Sequence, residues 1–117
     1  MFEKNMRLSF LLDFYGDALD DRTRSIIKAY YDDDLSLAEI ADDEGISRQG
    51  VRHIIKKGED SLDFFEKKLG LAAHYQELEY AIQKLETVKA NIAAGENAEQ
   101  SQELLADVIK TIQNKGI

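Results

Sequence analysis

Apolar residues recur along the chain at intervals of three, four and seven, and no stretch alternates with the two-residue period of a half-buried strand. That pattern predicts an all-α protein. A first helix is expected over about Glu3 to Tyr15, where Met6, Phe10 and Phe14 repeat at i, i+4 and i+8, Leu8, Leu11 and Leu12 widen the stripe, and Gly16 stops it. Asp20 is placed to cap a second helix reaching about Tyr31, with Ile26, Ile27 and Tyr30 facing inward and Asp32-Asp33-Asp34 ending it. Leu37, Ile40 and Ala41 then share one helical face, and Ala41 is small enough to let another helix approach. Gly45 supplies the positive φ of a tight turn, Ile46 returns to the core, and Ser47 caps a helix whose apolar stripe is Val51, Ile54 and Ile55. This is the residue grammar of a helix-turn-helix.

Beyond it the period changes. Leu71, Leu78, Leu85 and Ile92 recur every seven residues, with Tyr75 and Ile82 in the intervening slots, which makes about three heptads of packing seam. A helix from about Leu71 to Ala94 would be roughly 36 Å long. After the break at Gly95-Glu96-Asn97, Leu104, Leu105, Val108, Ile109 and Ile112 mark a second amphipathic helix. The seam is either the interior of this hairpin or a dimerisation surface. Lys89, in a slot where an apolar residue is expected, favours an antiparallel hairpin that also pairs with another copy. The expected division is therefore a lobe of residues 1–62 carrying the helix-turn-helix and a packing or dimerisation region of residues 63–117, with a homodimer as the assembly.

The outer face of the motif's second helix carries its candidate chemistry. Arg48, Gln49 and Arg52 are donors suited to base edges, and Ser47, His53, Lys56 and Lys57 to phosphates, so double-stranded DNA is the expected partner. The bland alternative is a solvated charged face paired with nearby carboxylates. Total charge pulls against a simple nucleic-acid binder: 23 acidic residues outweigh 15 basic ones, for a net charge of −8. Locally the balance reverses, since residues 46–57 hold four basic groups and no acidic one. Binding would then be weak and strongly salt-dependent.

Nothing in the sequence assembles a catalytic constellation, so an enzyme is not expected. His53 and His74 lie 21 residues apart with no cysteine in the chain, which satisfies no zinc spacing. Asp32-Asp33-Asp34 and Asp42-Asp43-Glu44 lack the spaced oxygens of a calcium loop and read as solvated turns, so neither metal nor other cofactor is expected. The lack of cysteine fits a reducing compartment, and no run approaches the roughly 18 apolar residues of a membrane span. The expected location is cytoplasmic, without membrane insertion.

Two resemblances add to this reading. Leu19-Asp-Asp-Arg-Thr-Arg-Ser-Ile-Ile-Lys-Ala-Tyr-Tyr, Leu35-Ser-Leu-Ala-Glu-Ile-Ala, Gly45-Ile-Ser, Val51-Arg and Leu62 resemble region 4 of sigma-70-type transcription factors over residues 19–62. Gly50 departs from that module, where a hydroxyl residue is more usual. The opening Met6-Arg-Leu-Ser-Phe-Leu-Leu-Asp-Phe-Tyr-Gly, with Ser47-Arg-Gln-Gly-Val-Arg-His and Asp60-Ser-Leu, resembles the YlxM-like (UPF0122) family of small bacterial helix-turn-helix proteins. That resemblance implies a DNA-binding regulatory protein, with its recognition helix over Ser47 to Lys57, connected with the signal recognition particle pathway. The alternative is an adaptor that binds no DNA and contacts the RNA or protein of that particle.

Overall fold

A computed structural model describes residues 6–115, and among these every regular element is helical. The helices are α1 (Met6–Tyr15), α2 (Asp21–Tyr31), α3 (Leu37–Glu44), α4 (Arg48–Leu69), α5 (Leu71–Ala94) and α6 (Ala98–Lys115), with a 3₁₀ turn at Gly16–Ala18. Residues 3–5 of the expected first helix lie outside the described residues. The chain divides into two compact units after Ala72.

The first unit owes its core to two helices that each serve both halves of it. On α2, Ile27 joins Leu8, Leu11, Leu12, Tyr15 and Leu62 in one cluster, while its neighbour Ile26, about 100° further round the helix, joins Ile40, Ala41, Val51 and Ile55 in the other. On α4, Val51 and Ile55 feed the second cluster and Leu62, two turns on, feeds the first. Between them sits Gly58, where α2 crosses: a Cβ there would lie 2.0 Å from Ile27 Cδ1 and 2.9 Å from Thr23 Cγ2. Any larger residue would force the buried Ile27 side chain and Thr23 to shift.

Several expected boundaries shift. The centre of the buried α1 face is Leu8, Leu11, Leu12 and Tyr15, with Phe10 and Phe14 half-buried and Met6 exposed at 74%. Tyr15, absent from the expected stripe, is buried because its hydroxyl has partners: it donates to Glu66 Oε1 (2.6 Å) and accepts from the Leu71 N–H (2.9 Å). Glu66 Oε1 also accepts from the Ala72 N–H at 3.1 Å, so Tyr15 and Glu66 together satisfy the first amides of α5. Gly16 ends α1 by entering the 3₁₀ turn, packed against Leu12, and not by a left-handed cap. The helix expected to end near Lys57 runs on to Leu69, because Ile55, Gly58, Leu62 and Phe65 keep its inner face apolar or small. Its terminator is Gly70, at φ 65°. The division expected at 62/63 thus falls inside α4.

The second unit is an antiparallel hairpin of α5 and α6. Asn91 Nδ2 donates to Gln100 Oε1 (2.9 Å) and Ser101 Oγ (3.2 Å), and Lys84 Nζ lies 4.0 Å from Asp107 Oδ2. Its buried side chains are small: Ala81 and Val88 from α5, Ser101 and Val108 from α6. The heptad seam is not the hairpin interior. Leu78 is half-buried, while Leu71, Tyr75, Ile82, Leu85 and Ile92 are 41–71% exposed. The residues one position before Ile82 and three beyond Leu85 have the same seven-residue spacing, and their smaller side chains are the ones that meet α6.

Candidate nucleic-acid interface

Local hydrogen bonds set the angle at which the motif presents its second helix. Ser36 and Glu39 form a reciprocal capping box, with Ser36 Oγ accepting from the Glu39 N–H and Glu39 Oε1 from the Ser36 N–H, each at 3.1 Å. Gly45, at φ 67°, ends α3 in the left-handed conformation that glycine adopts at least cost. Ser47 then caps α4 by accepting from the Gly50 N–H at 3.0 Å. Arg22 Nε, 3.5 Å from Glu44 Oε1, ties the end of α3 back to α2.

On this frame the expected donors come together. Arg48, Arg52 and Lys56 lie along one i, i+4 row of α4, and Gln49, His53 and Lys57 along the adjacent row, all six exposed. Among the described residues, no ion pair holds Arg48, Arg52 or Lys57. Lys56 is different: its ammonium sits 3.2 Å from Asp60 Oδ1, and that hydrogen bond raises its pKa. Ser47 is also committed, its oxygen serving the helix cap. Lys57 faces Asp20, whose carboxyl is held below the usual range first by the Thr23 N–H at 2.8 Å and further by the Lys57 charge.

The charge of α4 changes sign along its length. Residues 48–57 carry Arg48, Arg52, Lys56 and Lys57, whereas residues 58–66 carry Glu59, Asp60, Asp63 and Glu66 and no base. The cationic stretch therefore spans ten residues, about 15 Å of a helix roughly 33 Å long. Lys67 and Lys68 return positive charge in the last turn, so the N-terminal stretch is the part of α4 that is cationic without interruption by carboxylates. The acidic half is the feature that reading the motif alone misses, although the sequence states it directly.

A groove of about 550 Å³ flanks the cationic rows, lined by Tyr30, Tyr31, Leu37, Arg52, Ile55, Lys56 and Glu59. Tyr31 donates its hydroxyl proton to a Glu59 carboxylate oxygen. Burial, and then that bond, push the Tyr31 pKa well above the ordinary tyrosine value. Burial likewise raises Tyr30, against the opposing field of Arg52. Glu59 is thus held on the tyrosine side of the helix. None of the helices in the described residues is long and apolar enough to cross a membrane.

Comparison with known proteins agrees with the motif. A model of the family described as "UPF0122: Putative helix-turn-helix protein, YlxM / p13 like" matches residues 2–108. A UPF0122 protein of Thermoanaerobacter sp. (strain X514) is 43% identical over 98 residues, covering 84% of this chain and 81% of that protein. One from Listeria innocua serovar 6a is 43% identical over 86 residues, covering 74% and 78%, and one from Caldanaerobacter subterraneus subsp. tengcongensis is 47% identical over 78 residues, covering 67% of each.

Proposed function

Because the chain belongs to the UPF0122 family, we propose that it is a DNA-binding regulatory protein of the bacterial cytoplasm that inserts the first three turns of α4 into the major groove. The observation that carries this is the row of exposed donors on a capped second helix of a helix-turn-helix, free of ion pairs at Arg48 and Arg52. Arg48, Gln49 and Arg52 take the base edges, and His53 and Lys57 the phosphates. Lys56 reaches a phosphate only by leaving Asp60, so it contributes less. The carboxylates from Glu59 onward would repel the backbone, which sets the polarity of insertion: N-terminal end in, C-terminal end out. A paired copy that held two such helices about 34 Å apart would span successive half-sites.

A second reading is an adaptor that contacts the RNA or protein of the signal recognition particle; the net charge of −8, which slows approach to DNA and RNA alike, favours its protein-contacting form. Titration of duplex DNA from the chain's own genomic neighbourhood, with that RNA as competitor, separates the two. Regulation requires saturable DNA binding whose affinity falls steeply between about 50 and 200 mM salt. Arg48→Ala is expected to cost about 1–3 kcal/mol at one base position, whereas Lys57→Ala should weaken every sequence alike. Equal loss on all sequences with Arg48→Ala removes the base-reading role, and selective RNA capture favours the adaptor.

A further inference from the structure

The apolar surface of the hairpin lies outside it and on one side. Ala81 and Val88 mark the inner line of α5, and at 100° per residue the stripe through Ile82 and Leu85 is centred about 80° from that line. On α6 the inner line is Ser101 and Val108, and Leu105, Ile109 and Ile112 are centred about 55° from it in the same rotational sense along the chain. In an antiparallel pair, equal-handed offsets of this kind bring both stripes onto the same face. The two helices therefore present a continuous two-helix apolar surface.

We propose that this face is covered by a second copy of the chain, the two hairpins stacking into an intermolecular four-helix bundle. Three observations single out that occupant. Both buried apolar clusters of the described residues belong to the first unit, and the hairpin's own cohesion comes from Ala81, Val88, Ser101 and Val108 with the half-buried Leu78 and Leu104. Helices of this kind gain most of their stability from covering an apolar face. Seven large side chains are 37–71% exposed on this face, from Tyr75 to Ile112. At roughly 80 Å² each they offer about 550–600 Å² per copy, approaching the roughly 800 Å² that each partner buries in a stable complex. The charges are also self-complementary. Lys89 is the one charged residue within the α5 stripe, and Glu79 lies about 90° from its centre, hydrogen-bonded to Tyr75. An antiparallel α5 pairing centred near Ile82 sets Lys89 of one copy within about one turn of Glu79 of the partner subunit.

The pairing does not depend on the DNA reading, and each can fail without the other. Sedimentation equilibrium of the full chain should show a dimer at about 10–100 µM, and Ile82→Glu with Leu85→Glu should raise its dissociation constant by about 100-fold or more. Circular dichroism identifies any variant whose helices are lost. The chain has no cysteine, so a single Ile82→Cys thiol provides a second readout that needs no destabilising change. Its reaction with a thiol dye should slow as protein concentration rises, while a Tyr80→Cys thiol, on the opposite side of α5, reacts at a constant rate. A monomer at about 100 µM, a dimer that survives the double substitution, or equal protection of both thiols overturns the proposal. Binding of a single DNA half-site by the monomeric double variant reports on the DNA reading alone.

Discussion

The two units use hydrophobic residues in opposite ways. In the first, Leu11, Ile27, Val51 and Leu62 are almost wholly buried, and even the glycine at the helix crossing is required by the contact. In the second, alanine, valine and serine are the buried residues, while Ile82, Leu85, Ile92, Leu105, Ile109 and Ile112 look out. Periodicity says which residues share a face, but not what that face meets. A heptad reads the same whether it is filled by the next helix of the chain or by another chain.

Truncating the same residue type in each unit tests this contrast most severely. Leu62→Ala should lower the unfolding free energy by about 2–5 kcal/mol in urea titrations, since it opens a cavity in a fully buried site. Leu85→Ala, 41% exposed, should cost less than about 1 kcal/mol in dilute protein, and more as concentration rises if a second copy covers it. Equal losses at low concentration would erase the distinction. Gly58→Ala adds one methyl group at the α2–α4 crossing and should cost about 1–3 kcal/mol through overpacking, despite alanine's better helix propensity. Gly50→Ala, whose added Cβ would meet the capping Ser47 Oγ at 3.3 Å, sets the same propensity gain against a much milder contact and should cost less than Gly58→Ala. Removing the cap of α4 with Ser47→Ala should cost about 1 kcal/mol and loosen the interface without touching either core.

Alkaline pH should also act on the first unit. Burial raises the pKa of Tyr15, Tyr30 and Tyr31, so these groups favour the folded state fully below the unfolded tyrosine value of about 10. Their contribution is lost as pH rises from there through the raised folded values. Urea midpoints measured from pH 8 upward should fall once pH passes about 10. A flat profile would mean that the buried hydroxyls do not couple to folding.

Much of this architecture is legible in the residues because its signals are local. Asp20 caps α2 as its type and position suggest, Gly45 takes the left-handed turn, and Ser47 caps α4. The Ser36–Glu39 capping box is equally local, its two partners lying three residues apart, although apolar spacing does not mark it. Tyr15, Gly58 and Glu66 are harder to read, because each acts through partners 31 to 56 residues away: Tyr15 through Leu71, Gly58 through Ile27, Glu66 through Tyr15. The candidate interface shows the same division. Helical geometry alone groups Arg48, Gln49, Arg52 and His53, whereas the pairing of Lys56 with Asp60 depends on rotamers that spacing leaves open.

Backbone amide shifts recorded by NMR during titration of the full chain with duplex DNA show whether the cationic N-terminal half of α4, and not its acidic continuation, meets nucleic acid. Perturbations should concentrate at residues 47–57, with residues 59–69 and the hairpin little changed. Shifts centred on α5 and α6, or none above those caused by added salt, would contradict that binding mode.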